Sequence, residues 1–251
     1  MFKVISSTGL GILGVLTTSL VLPMAAIAVP FKLDNIEPRG FDCATASSTG
    51  PGGLNCPAGT PDHIEWVQGI NPVSSLDLTS LTTISGINPG DLPVRINELT
   101  HTNTPIPQAF NYSIDIVNTL QVTDENGGAI VLTNSNAINI QFTETPNIGP
   151  PCADPDPGNT VCADFFDFNA GGLADLAFSS GGFNYLLRFG LEPGAGAFFD
   201  GIRNNRVYAA EAGTSKLFVT AEIIQVPEPV SFALLGLGLL GMGVTTRRRI
   251  I

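Results

Sequence analysis

Only two histidines occur in the 251 residues, His63 and His101, and imidazole is the side chain best suited to proton transfer and metal ligation near neutral pH. His101 lies in Thr100-His101-Thr102-Asn103-Thr104-Pro105-Ile106, where imidazole and carboxamide could act together as a ligand pair. The same residues also suit a corner at a strand end. Pro105 and Pro107 remove two backbone donors, and His101 and Asn103 could donate to the carbonyl groups left over. The second reading is the expectation. Asp154-Pro155-Asp156-Pro157-Gly158-Asn159 opens like a calcium loop, with oxygen ligands at alternate positions. Its twelfth position, where a bidentate glutamate belongs, is Phe165, with Asp164 beside it, so a solvated acidic loop is expected instead. No serine elbow, zincin helix, phosphate loop or dinucleotide fingerprint occurs. A glycosidase needs only two carboxylates, but 22 acidic residues single out no pair. No catalytic residue, cofactor or metal is therefore expected, and the chain reads as a non-enzyme.

The four cysteines form two close pairs, Cys43/Cys56 and Cys152/Cys162, each bracketing a segment rich in Gly, Pro, Asn or Asp. Zinc sites need Cys-x-x-Cys-like spacing, which is absent. Three pairings are formally possible, and two local disulfides are expected in an exported chain.

Period-two patterning supplies the elements around these residues. Tyr112, Ile114, Ile116, Leu120 and Val122 alternate with polar partners, and Asp124-Glu125-Asn126-Gly127-Gly128 follows as a hairpin turn. Ile130 to Leu132, then Ile138, Ile140 and Phe142, read as the returning strand and its extension. Phe183, Tyr185, Leu187 and Phe189 alternate after Ser179-Ser180-Gly181-Gly182. A further hairpin is expected from Val207 to Ala210 through Glu211–Thr214 to Lys216–Val226, and a single short helix near Gly172 to Ala177. The fold class is all-β: an antiparallel β-sandwich, jelly-roll-like, over residues 29–225.

Both ends carry addresses. Lys3, the apolar stretch Val4 to Leu22 and Ala26-Ile27-Ala28 read as a signal peptide over residues 1–28; a retained membrane helix is the alternative. Val230 to Thr246 is an uncharged run of 17 residues studded with glycine, followed by Arg247, Arg248 and Arg249. It is expected to cross a membrane with the arginines on the cytoplasmic side; a buried core helix is the alternative. The exported middle, Val29 to Pro229, holds all 22 acidic residues and seven of the eleven basic ones, a net charge of −15. That charge repels nucleic acid and anionic lipid.

Val226-Pro227-Glu228-Pro229, the apolar run and the arginine cluster together resemble the PEP-CTERM sorting signal of bacterial surface proteins, covering residues 226–251. The resemblance implies processing by an exosortase, a membrane-tethered precursor, and a destination in the cell envelope or extracellular matrix. Thr100, His101, Asn103, Pro105 and Ile106 are similar to the motif of the THxN family, which belongs with choice-of-anchor K domains and implies no activity. The expected role is structural or adhesive. The alternatives are a carbohydrate-binding module of the polysaccharide matrix and an envelope glycosidase. A module would expose an aromatic platform, for which Trp66, Tyr112, Tyr185 and Tyr208 are the candidates.

Overall fold

Alternation of side chains sorts apolar residues to one face and polar ones to the other, and two such sheets close a core between them. A computed structural model describes residues 30–49, 53–67, 73–80, 83–104, 109–124, 126–133, 138–146, 152, 162–169, 173–199, 205–210 and 213–227. The expected signal peptide, the apolar run Val230 to Thr246, Glu228, Pro229, Arg247 to Arg249, the Asp154–Asn159 loop, Pro105 and Ile106 lie outside the described residues.

The strands in chain order are β1 (Phe31–Thr49), β2 (Gly53–Asn55), β3 (His63–Val67), β4 (Ser74–Ser80), β5 (Thr83–Ile87), β6 (Val94–Asn103), β7 (Phe110–Asp124) and β8 (Ala129–Thr133). They continue with β9 (Ile138–Glu144), β10 (Asp164–Phe168), β11 (Leu176–Ser180), β12 (Phe183–Pro193), β13 (Ala197–Phe199), β14 (Arg206–Ala209) and β15 (Gly213–Val226). Among the described residues every strand pairing is antiparallel. One sheet runs β13-β14-β10-β9-β7-β1-β5 with β8 also on β7; the other runs β11-β12-β15-β6-β4-β3-β2. Their inner faces meet through aromatic rings, such as Phe31 of the first sheet against Phe178 of the second at 5.6 Å. Trp66, Phe31, Phe110, Phe142 and Phe168 are all sealed in this core. Each contributes roughly 2–3 kcal/mol of burial before entropy is counted.

Local turn chemistry works where it is strongest. Asp124 accepts hydrogen bonds from the backbone of Asn126 and Gly128, both at 2.9 Å, and closes the β7–β8 hairpin. Gly181 and Gly182, at φ +58° and +82°, make the two-residue β11–β12 turn, a conformation that side-chain-bearing residues resist. The disulfide Cys43–Cys56 links β1 of one sheet to the residue following β2 of the other, and Cys152–Cys162 lies just ahead of β10. Loops of this length contribute about 2–4 kcal/mol apiece.

Three expectations are corrected. Among the described residues no helix forms; Leu173 to Asp175 lead straight into strand β11. Strands β14 and β15 are not a hairpin, because β14 pairs with β10 and β13 while β15 pairs with β12 and β6 in the opposite sheet. The segments Ile130–Leu132 and Ile138–Phe142 are two separate strands on successive stretches of β7. Alternation fixes which face a residue takes, and leaves the partner strand to long-range packing.

Candidate functional site

Strand β6 lies inside the second sheet, between β15 and β4, and its pairing runs unbroken through the histidine segment. Thr102 stands opposite both Thr214 and Ser75, and His101 opposite Ser215 and Leu76. The corner expected at Thr100–Asn103 is therefore regular strand. Partners on both sides supply the ladder that the following prolines were expected to interrupt. Alternation then turns Leu99, His101 and Asn103 into the core and leaves Thr100 and Thr102 facing outward.

His101 is 2% exposed and stacks on Trp66 with ring centroids 5.4 Å apart, and makes edge-to-face contacts with Phe142 and Phe166, each at a centroid separation of 5.2 Å. Neither ring nitrogen has a protein partner among the described residues, so the expected donation to backbone carbonyl groups does not occur. Burial in this aromatic box lowers its pKa from 6.5 to about 3. The imidazole is a neutral aromatic plate. The void beside it, lined also by Phe166, Phe168 and Ser215, is about 10 Å³, far too small for a substrate.

Asn103 behaves as the polar-partner argument requires, but toward a side chain. Its Nδ2 donates to Asp164 Oδ2 at 2.7 Å, and Asp164 Oδ1 accepts from the Thr145 backbone at 2.8 Å. The Thr145 hydroxyl donates to the Cys162 carbonyl at 2.6 Å, so the network reaches the second disulfide. Trp66 Nε1 donates to Glu144 at 3.4 Å. Burial, then the nearby Glu144 and Asp164 carboxylates, push the Tyr112 phenol well above its ordinary pKa, and it stays a neutral hydroxyl. Sequence spacing alone does not pair Asp164 or Glu144 with the histidine motif. The usable signal was parity: Asp164 shares a face with Phe166 and Phe168, and Glu144 with Ile138, Ile140 and Phe142. Glu144 lines a surface cleft of about 390 Å³ with Asn111, Phe165 and the Cys152–Cys162 bridge, but is itself fully covered.

The other histidine lies on the outer face of the same sheet. His63 Nδ1 is 2.5 Å from Asp77 Oδ1 and Nε2 is 3.1 Å from Glu65 Oε1. Partial burial disfavours its charge, but the hydrogen bonds to Asp77 and Glu65 outweigh that and raise its pKa. The four platform candidates, Trp66, Tyr112, Tyr185 and Tyr208, are all buried.

At the C-terminal edge, Gln225 and Val226 form the last rungs of β15, paired with Tyr185 and Asn184 of β12. Residues 225–249 match the PEP-CTERM protein-sorting motif. Such a motif marks an exported protein whose precursor is processed by an exosortase for sorting to the cell surface. The motif therefore begins inside the folded sandwich, with only Pro227 to Pro229 before the apolar run. A search of curated proteins gives no significant match. Among the described residues no helix is long and apolar enough to cross a membrane.

Proposed function

We propose that this protein is a structural or adhesive component of the cell envelope or extracellular polysaccharide matrix, exported behind a signal peptide and tethered through Val230 to Thr246 until an exosortase acts. The observation that carries this reading is the sorting motif joined directly to the last strand of an acidic sandwich. The residues best equipped for chemistry in its histidine motif are sealed in the core, which supports a non-catalytic role. The assignment to the THxN group of choice-of-anchor K domains, and a jelly-roll arrangement of the sheets, belong to the same proposal and rest on Thr100, His101, Asn103, Pro105 and Ile106 together with the facing sheets. Intact-mass analysis of protein extracted from the cell surface tests it. The expected product begins near Val29 and lacks Arg247 to Arg249; a mature surface protein that retains the arginines overturns it.

A carbohydrate-binding module is the weaker reading, because the burial of Trp66, Tyr112, Tyr185 and Tyr208 leaves none of them as a stacking platform. Glycan-array binding by the purified protein would reinstate it.

A further inference from the structure

We infer that His63 and Glu65 form a two-ligand site for a divalent transition-metal ion of the Zn²⁺ class, with Asp77 orienting the imidazole. The site is built by alternation. Ile64 and Trp66 point into the core, so His63 and Glu65, two residues apart on β3, stand side by side on the outer face. Asp77 lies directly opposite His63 on β4, and Asn55 opposite Glu65 on β2.

The distances fit metal chelation with a supported imidazole. When Asp77 accepts the Nδ1 proton, Nε2 keeps its lone pair for a metal ion, and Glu65 Oε1 lies 3.1 Å from that nitrogen. Nitrogen and oxygen ligands on one tetrahedral zinc ion, each about 2.0–2.2 Å from it, are separated by about 3.3 Å. A carboxylate on the far nitrogen is the usual means of fixing the tautomer and orientation of a metal-bound imidazole. Both carboxylates are themselves held: Asn55 Nδ2 donates to Glu65 Oε2 at 3.3 Å, and Ser75 Oγ to Asp77 Oδ2 at 3.4 Å. The side chains of His63, Glu65 and Asp77 remain 27%, 33% and 44% exposed, which leaves an entry path. The same pair of carboxylates that favours a proton on His63 favours a dication in its place.

Among the described residues no three His, Cys, Asp or Glu side chains converge on one ion position, so two protein ligands and water complete the shell. That gives modest affinity. The nitrogen ligand selects for Zn²⁺, Cu²⁺ or Ni²⁺ over Ca²⁺ and Mg²⁺. The chain has one other histidine, His101, and it is sealed in the core, so an imidazole signature on metal addition reports His63 alone.

Titration of the full chain in detergent with Zn²⁺, followed by calorimetry and by NMR of the two imidazoles, tests the site. One ion is expected to bind, perturbing His63 and leaving His101 unchanged. His63→Ala and His63→Gln should abolish binding, Glu65→Gln should weaken it at least tenfold, and Asp77→Asn should weaken it by about 10–100-fold. Melting of each variant without metal confirms that the sandwich is intact. Undiminished zinc binding by folded His63→Gln, an equal affinity for Ca²⁺, or no binding at 1 mM Zn²⁺ overturns the inference.

Discussion

The two histidines occupy the same sheet, on β3 and β6 with β4 between them, yet their surroundings are opposite. His63 is on the outer face with a carboxylate at each ring nitrogen, and its pKa is raised. His101 is on the inner face among Trp66, Phe142 and Phe166, and its pKa falls to about 3. Parity makes the difference. His63 is in step with Glu65, and His101 with Leu99, so the pleat sends one to water and the other to the core. One ring works through its nitrogens and the other through its face.

Truncation should separate them most sharply. His101→Ala removes a stacked ring from a close-packed interior and should cost about 3 kcal/mol in chemical denaturation, as aromatic truncations do. His101→Phe keeps a plate in the stack and removes two unpartnered nitrogens, so its stability should equal or exceed the parent's. A phenylalanine variant as unstable as the alanine one would show that the nitrogens matter and break the contrast.

Acid provides the next test. The unfolded imidazole titrates near 6.5 and the folded one near 3, so the unfolded chain binds the extra proton first. The stability His101 contributes is complete above pH 6.5 and is lost as pH falls toward 3, a loss of about 3 kcal/mol by pH 4.5. Carboxylates share the acid limb, so the measurement is the difference between parent and His101→Phe across pH 4.5 to 7.5. Parallel curves would place the imidazole in a more polar setting than this core.

Asn103→Ala should follow, at about 1–3 kcal/mol, because buried Asp164 loses its 2.7 Å amide donor. Asn103→Asp should be worse, since it sets a second carboxylate against the first. Thermal melts of the three proteins rank them directly. The smallest effect belongs to His63→Ala at neutral pH and without metal, below about 1 kcal/mol for a partly exposed ion pair. Its contribution has the opposite pH sense: present below pH 6.5 and lost as pH rises through the elevated folded value. A large cost for His63→Ala, with a small one for His101→Ala, would invert the comparison.

Much of this was legible in the residues themselves. Alternation from Tyr112 to Val122 marked strand β7 and its inward face, Asn126-Gly127 and Gly181-Gly182 marked two turns, and Pro-Glu-Pro with its apolar run and arginines marked the sorting address. These signals lie within a few residues of one another, where propensity and spacing act directly. What sequence distance concealed was decided by tertiary structure. Whether β14 turns back on β15 or crosses to the other sheet depends on which edges are already occupied. Whether Thr100–Asn103 bends or continues as strand depends on Ser215 and Leu76 being there to pair with it. The environment of His101 required Trp66, Phe142 and Phe166 to arrive from three other strands, and the partner of Asn103 lay 61 residues away at Asp164. A side chain's chemistry is set by the dielectric and the partners around it, and in a sandwich both are supplied by strands distant in the chain.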